Sequence, residues 1–437
     1  KWADACGPGA TRYEVYSGWP APTRQPGGNA EASYCCTNSP VGAMGLMTSI
    51  STPFGSRVMK CRWPKASSRS GSSTGRPATA VAAQAQERVR IGFMSPITGP
   101  QAANGIDNRD GAQLAIKELN AKGLKVGGKP VVFELDINDD VADPKQGVQV
   151  AQTLADKKVK FVLGPYNSGV TVPAARVLNE SDVVVLTVAS NPKVTELGYN
   201  NLFRIGASDN QLGAKMATYA AQDLKVKTVA VIDDRTAYGQ GVAKEFTEQA
   251  KRLGLKVVAN EFTTDKATDF SAILTNVRAS KAEAVFYGGY SPQGGPMLRQ
   301  MRSLGLTVPL LGGDGICSSE TATLAQVAGE LNTFCTQGGS MLDKSDKGQK
   351  FVERYRAEYK RDPLTYAAAF YDGMYLLAGA IEATQSLDTK KIVQAIAAGK
   401  YVGVTGEFAY DPKHDLKSSA VTVYTFKGKD VVPLKSL

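Results

Sequence analysis

Short, continuous apolar runs recur through the body of the chain, and the segments between them place apolar residues three and four apart. The runs at 88–94, 131–137, 160–163, 183–188, 228–232, 256–262, 284–287 and 308–311 predict strands. Several are β-branched throughout, which suits parallel strands covered on both faces. Between them, Ala112, Ala115, Ile116 and Leu119 hold the i, i+3, i+4, i+7 spacing of a buried helix face. Asp143 followed by Pro144 supplies an N-cap with proline at the first helical position. Such alternation predicts βαβ units and therefore an α/β fold of parallel sheets.

The second half repeats the plan of the first. After Phe203-Arg204-Ile205-Gly206 a fresh α/β unit opens, with a strand ending Val231-Ile232-Asp233-Asp234. Beyond Thr336-Gln337-Gly338-Gly339 the pattern turns mainly helical over 346–400. It closes with short strands at 406–410 and 420–426, joined by Asp411-Pro412-Lys413-His414-Asp415. Two lobes joined by several crossings fit this order.

A chain of 437 residues with 43% hydrophobic content can bury more than one core. No stretch approaches the roughly 18 to 20 unbroken apolar residues of a membrane helix, so a soluble protein is expected. The net charge of +10 suggests nucleic acid until it is located. Residues 1–86 hold nine Lys/Arg against Asp4, Glu14 and Glu31, and so carry +6 of it. The remainder is mildly basic with no basic run interleaved by aromatics, which argues against nucleic-acid binding. The tail is rich in Gly, Pro, Ser and Thr and lacks sustained periodicity, so disorder is expected there. Its end, Ala83-Gln84-Ala85, resembles a secretory cleavage region without the apolar core that should precede it, and a mature start near Gln86 is expected.

Cys6, Cys35, Cys36 and Cys61 lie in the tail, leaving Cys317 and Cys335 in the body, eighteen residues apart. These two are either one disulfide or two buried thiols. With no Cys-x-x-Cys pair and a single histidine, His414, a zinc site is not expected, and no cofactor is called for.

Two loops carry the chemistry. Gly164-Pro165-Tyr166-Asn167-Ser168-Gly169 and Gly312-Gly313-Asp314-Gly315 each follow a strand and lead into a helix. Both should therefore sit at the carboxyl edge of a parallel sheet, where open α/β folds bind ligands. The first offers N–H groups and a hydroxyl to an anion. The second offers a carboxylate to a cation, so the pair suits a zwitterion such as a free amino acid.

From about 88 to 433 the chain resembles the type I periplasmic solute-binding proteins of the branched-chain amino acid (leucine/isoleucine/valine) ABC transporter family. The resemblance rests on Ile97-Thr98-Gly99-Pro100, Gly111-Ala112-Gln113-Leu114-Ala115, Asp143-Pro144-Lys145, the Gly164 loop, Ser190-Asn191-Pro192, Tyr238-Gly239-Gln240-Gly241, Gly288-Gly289-Tyr290, Leu298-Arg299-Gln300 and the Asp314 loop, in that order. It implies a two-lobed clamshell, each lobe a parallel-sheet αβα sandwich, with hinge crossings near Gly206, Gly338 and Asp411. Lobe 1 would be 87–206 plus 338–410, and lobe 2 would be 207–337 plus 411–437. It also implies a periplasmic monomer that presents its closed form to an ABC-type membrane permease, and in that compartment a Cys317–Cys335 disulfide.

Residue by residue, the resemblance gives Ser168 and the N–H groups near Gly169 to the ligand carboxylate, although a serine there can equally cap its helix. Ser190, with the carbonyl of Ala189, matches a second contact segment, and Asp314 matches the acidic residue that pairs with the ligand ammonium. Tyr238 and Tyr290 match aromatics that close over the ligand from the second lobe. Asn104 stands where an aromatic is expected, and Tyr166 and Asn167 replace small or aliphatic contacts, which favours a ligand able to hydrogen-bond. Tyr366, Phe370 and Tyr371 are candidates to complete the pocket, or equally a core stripe.

Two rivals are weighed against this. The same fold could hold an aromatic acid, a short amide or urea. An α/β hydrolytic enzyme is the rival of another class, but the Gly164 loop does not fit a Gly-x-Ser-x-Gly elbow and no Walker A pattern occurs. No catalytic activity is expected.

Overall fold

The computed structural model describes residues 86–327 and 331–437, together with the backbone of two strands in the tail. Those two, β1 (Met47–Ser51) and β2 (Arg57–Cys61), pair antiparallel. The rest of the expected disorder over 1–86, and the signal-like Ala83-Gln84-Ala85, lie outside the described residues.

The first sheet and its helices come from β3 (Glu87–Ser95), α1 (Ala102–Lys122), β4 (Lys125–Val126), β5 (Lys129–Asp139), α2 (Pro144–Asp156), β6 (Phe161–Leu163), α3 (Ser168–Glu180), β7 (Val184–Thr187), α4 (Lys193–Glu196) and β8 (Leu202–Arg204). Its strand order is β4-β5-β3-β6-β7-β8, parallel except for the short β4. Alternate residues of the buried strands face opposite layers. Ile91, Phe93, Phe161, Leu163 and Leu186 point one way, while Val162 and Val185 meet Val150, Leu154, Ala174 and Leu178 on the other. Helix α2 starts where Asp143 accepts from the N–H groups of Lys145 and Gln146, both at 2.9 Å, with Pro144 needing no acceptor.

The second sheet follows from α5 (Asp209–Gln222), β9 (Thr228–Asp233), α6 (Ala237–Arg252), β10 (Lys256–Phe262), α7 (Ser271–Ala279), β11 (Ala284–Gly288), α8 (Ser291–Ser303), β12 (Leu310–Gly312), α9 (Ser319–Ala325) and β13 (Thr333–Gly338). The chain then returns to the first sheet with α10 (Asp346–Tyr359), α11 (Ala367–Thr384), α12 (Thr389–Ala398), β14 (Tyr401–Val402) and β15 (Glu407–Phe408). It ends in β16 (Val421–Lys427) and β17 (Asp430–Ser436), which extend the second sheet antiparallel in the order β10-β9-β11-β12-β13-β16-β17. The two closing strands read from the sequence therefore belong to different sheets, since β15 pairs with β14 and β16 with β13.

Helix α11 closes the far face of the first sheet, where Phe370 packs edge-on against Phe93 at 5.7 Å. In the second lobe Phe246 of α6 stacks on Phe286 of β11 at 4.0 Å. Each such buried ring contributes about 1.5–3 kcal/mol through removal of apolar surface from water. The chain crosses between sheets at 205–208 and at 339–341. It crosses a third time at 418–420, because Asp411, His414 and Asp415 stay on the first lobe: His414 stacks on Phe203 at 4.1 Å and Asp415 pairs with Arg204 at 2.5 Å. Among the described residues no helix is long and apolar enough to cross a membrane.

Candidate ligand site between the lobes

The loops at the carboxyl ends of β3, β6 and β7 face those at the ends of β9, β11 and β12. In the first, Gly164 has φ +109°, and a Cβ there would fall 2.1 Å from the Met94 carbonyl oxygen, so only glycine lets the chain turn so close to β3. The turn delivers Tyr166, Asn167 and Ser168 to the head of α3, all at most 5% exposed. Asn167 is the N-cap by backbone conformation, yet its side chain caps nothing. Its Nδ2 donates to Gln101 Oε1 at 2.8 Å. Ser168 does not cap the helix either: its hydroxyl accepts from the N–H of Asn191 at 3.2 Å, tying two loops together. The Ser168 and Gly169 amides precede the first intrahelical bonds, which Val170 and Thr171 make to the Asn167 carbonyl, so their N–H groups and the helix dipole point into the cleft.

The second contact segment is held from beneath by Arg204, fully buried on β8. Its guanidinium donates to the carbonyls of Ala189 and Asn191 and to Thr195, and pairs with Asp415. Ala189 also donates its N–H to Thr187 at 3.0 Å, so its backbone groups are engaged within the lobe. Ser190 accepts from the N–H of Asp209 at 2.8 Å across the first crossing.

From the second lobe, Asp314 is 5% exposed. Its carboxylate accepts from the Tyr238 hydroxyl at 2.8 Å and from the Tyr366 hydroxyl, and Tyr238 in turn accepts from the Gly315 N–H at 2.9 Å. Burial raises the Asp314 pKa, while the two phenols hold its charged form. Tyr238 thus serves the carboxylate, and its ring lies 4.8 Å from Tyr290. Tyr290 reaches across to Tyr166 at 6.2 Å, and Tyr166 meets Tyr366 at 5.9 Å. Asn104, one turn into α1 from Gln101, is 4% exposed.

Of the three later aromatics, only Tyr366 reaches the cleft. Phe370 belongs to the core against Phe93, and Tyr371 bonds Glu118 at 2.7 Å on the outer side of α1. Tyr366 is delivered by Asp107 of α1, which accepts from the N–H groups of Leu364 and Ala367 and the hydroxyl of Tyr355, and pairs with Arg361. The lobes are in contact across the site: Asn191 donates to the Ala237 carbonyl at 2.6 Å and Thr365 to that of Cys317 at 3.0 Å. Cys317 and Cys335 are joined as a disulfide, with Cα atoms 5.4 Å apart. It ties the segment after Asp314 to β13 beside the hinge.

One cleft residue escapes a sequence reading. Asp209, at the first position of α5, is fully buried, and neither of its carboxylate oxygens has a partner at hydrogen-bond geometry, although the Ser190 hydroxyl is near enough to favour the charge. Burial and then the charge of Asp314 push its pKa well above the ordinary carboxylate range. In sequence it sits in Ser208-Asp209-Asn210-Gln211, a capping box at a helix start, where an acid normally faces water. Nothing local signals that the second lobe's α6 covers it.

Two αβα lobes joined by three crossings, with a polar and aromatic cleft shut between them, define a hinged binding protein of the periplasmic type. The sequence profile of the periplasmic binding protein family matches residues 88–430. The chain belongs to that family. It is 37% identical over 347 residues to the Leu/Ile/Val-binding protein homolog 1 of Brucella suis, a match that covers 78% of this chain and 91% of that protein. The identity to an amino acid binding protein of Pseudomonas aeruginosa is also 37%, with the same coverage. Among solved structures, the leucine binding protein LivK of Thermotoga maritima superposes with a TM-score of 0.74 at 28% identity, covering 80% of this chain and 98% of that one. LivJ of Streptococcus pneumoniae, solved with isoleucine, gives 0.73 at 29% identity, covering 80% and 100%.

Proposed function

We propose that this protein is the periplasmic substrate-binding component of an ABC importer and captures a free amino acid between its lobes, without chemical change, for delivery to a membrane permease. The observation that carries this reading is the division of charge in the cleft. Unpaired helix N–H groups at Ser168 and Gly169, with the Ser168 hydroxyl, suit a carboxylate on the first lobe. Asp314 on the second lobe is buried, its charged form is held by two phenols and no cation is bonded to it, so it suits an ammonium group. A buried carboxylate needs a countercharge, and a zwitterion supplies one while its other end takes the free amides. Tyr166, Tyr290 and Tyr366 wall the space between.

A Leu/Ile/Val-binding protein homolog and an amino acid binding protein share 37% of the aligned sequence, and LivK and LivJ share the fold at 28–29% identity, which supports the ligand class and the importer. Closure joins groups from both lobes, so a ligand that bridges them favours the closed state through its affinity for that state alone. Thermal unfolding with each of the common L-amino acids, followed by chromatography of the recovered ligand, tests the proposal. At a ligand concentration of about 100 Kd the stabilisation should be about 2.7 kcal/mol, with the ligand recovered intact. Stabilisation by benzoate or urea and by no amino acid, or conversion of the ligand, would overturn it.

A further inference from the structure

Two residues of the motifs singled out in the sequence take no part in the ligand site described above. Asn191 follows Ser190 on lobe 1, and Gly241 is the fifth residue of α6 on lobe 2. They meet where the lobes touch. A Cβ on Gly241 would lie 2.4 Å from Asn191 Nδ2 and 2.8 Å from Asp209 Oδ2, so an alanine there would collide with the opposite lobe. At the head of α3, by contrast, a Cβ on Gly169 would rest 3.9 Å from the Ala237 Cβ, an ordinary van der Waals distance. The crowding at this contact falls on position 241.

Asn191 is not free to swing aside. Its Nδ2 donates to the Ala237 carbonyl across the lobes at 2.6 Å, and its Oδ1 accepts from the Lys193 N–H at 2.9 Å. Its N–H donates to Ser168 Oγ at 3.2 Å and its carbonyl accepts from Arg204 at 3.1 Å. Every polar group of this buried residue is thus engaged. Turning the amide away from a new methyl group would break both side-chain bonds. Glycine is also a poor choice for α6 itself, since in a helix interior it is less favourable than alanine. The approach of lobe 1 supplies the reason for it.

We infer that Asn191 and Gly241 form a latch between the lobes: the amide seats against the bare backbone of α6, and its bond to Ala237 holds the cleft shut with no ligand atom in between. The latch is joined to the carboxylate end of the site, because the Ser168 hydroxyl also holds the Asn191 N–H. This goes beyond the amino-acid reading and concerns how the lobes close on whatever molecule bridges them. A direct bond between lobes raises the closed share before binding, and apparent affinity falls with the share of protein able to close.

The test compares the unaltered full chain with Gly241→Ala, Asn191→Ala and the double variant, by small-angle scattering and by calorimetry with L-leucine, L-glutamine and L-arginine. Unliganded Gly241→Ala should have the largest radius of gyration and the unaltered protein the smallest, with Asn191→Ala, which loses only the bond, between them. Gly241→Ala should bind the best of the three amino acids about tenfold or more weakly than the unaltered protein. Its unliganded melting temperature should hold or rise, because alanine is the better helix former. Asn191→Ala removes the amide that the methyl group would strike, so the double variant should match Asn191→Ala alone in radius and, within about threefold, in affinity. A loss of affinity or stability in Gly241→Ala that Asn191→Ala does not relieve would place the fault inside lobe 2, at Asp209, and overturn the latch. Equal radii for all four unliganded proteins would also overturn it. If the radii order as expected and none of the amino acids binds, the latch stands and the amino-acid reading falls; if the amino acids bind and the radii are equal, only the latch falls.

Discussion

In lobe 1 the loops after β6 and β7 bring a hydroxyl, two side-chain amides and helix N–H groups to the cleft, and the charged residues behind them, Arg204 and Asp107, are each paired within the lobe. In lobe 2 the helix after the first crossing and the loop after β12 bring Asp209 and Asp314, both buried and neither bonded to a cation. Both lobes use the carboxyl edge of a twisted parallel sheet, so the scaffold does not set the sign of the charge. What differs is which polar group the strand-end loop carries: helix amides left free by a side chain that does not cap, against a carboxylate held by phenols. The difference means that each lobe alone is incomplete. A molecule with one charge satisfies one wall and leaves the other wanting.

The largest effect expected from breaking this contrast is at Asp314→Asn. Loss of one partner of a buried charge pair costs about 3–5 kcal/mol, so calorimetry should show amino-acid affinity falling by two to three orders of magnitude. In the unliganded protein the same change removes a buried charge that burial already disfavours, so the melting temperature should hold or rise. Weaker binding together with a lower melting temperature would mean that the carboxylate is structural, and the two walls would no longer differ in role.

Next in size is a test of how alike the lobes are at a second pair of strand ends. Each has an Asp-Asp pair at a strand end, Asp139-Asp140 at the end of β5 and Asp233-Asp234 at the end of β9. In each, the second aspartate accepts from the N–H two residues on, through Oδ1, and has an unpartnered Oδ2. Burial pushes both pKa values up to about 7. A carboxyl whose folded pKa lies above its unfolded value of 3.8 keeps its proton better in the folded chain. Its stabilising effect is therefore complete below pH 3.8, declines as pH rises towards 7, and is lost above that. Urea unfolding should show lower stability at pH 8 than at pH 5, by about 1–3 kcal/mol. Asp140→Asn and Asp234→Asn should each flatten that slope. A flat profile in the unaltered protein would sink the symmetry.

The course of the two sheets was legible in the sequence because parallel strands covered on both faces must be continuous apolar runs, as at 161–163, 184–187 and 284–288. Strand β8 was not, since it is three residues long and ends in Arg204, a charge that can be buried only because Ala189, Asn191, Thr195 and Asp415 converge on it from other parts of the chain. Strand β17 carries Pro433, which reads as a break and is tolerated at the sheet edge. The Ser168 and Asp314 loops announced themselves by glycine and position. Asp209 did not, because a carboxylate in the first turn of a helix has an ordinary solvent-facing use, and only tertiary packing takes it out of water.

A smaller effect is expected at Tyr366→Phe. This hydroxyl comes from the first lobe and donates to the second lobe's Asp314, so it is a side-chain bond that exists only when the cleft is shut. Hydrogen bonds to a charged group contribute about 1.5–3 kcal/mol. Solution scattering of the unliganded variant should show a larger radius of gyration than the unaltered protein, and ligand affinity should fall about tenfold. An unchanged radius with unchanged affinity would show that the phenol does not help to close the lobes.

The smallest effect is expected at Ser168→Ala, and it separates two uses of one hydroxyl. Ser168 Oγ accepts from the Asn191 N–H and so fixes the second contact segment, and it also stands beside the free amides of α3. A hydrogen bond of this kind contributes about 0.5–1.5 kcal/mol net. If the hydroxyl donates to the ligand carboxylate, its removal should weaken amino-acid binding about fivefold to tenfold while leaving the melting temperature of the unliganded protein within a degree or two. If it serves only to hold Asn191, the orphaned N–H should lower that melting temperature and leave affinity nearly unchanged. The helix amides remain in either case, which is why the loss on this wall should stay well below that at Asp314, where a single carboxylate carries the charge.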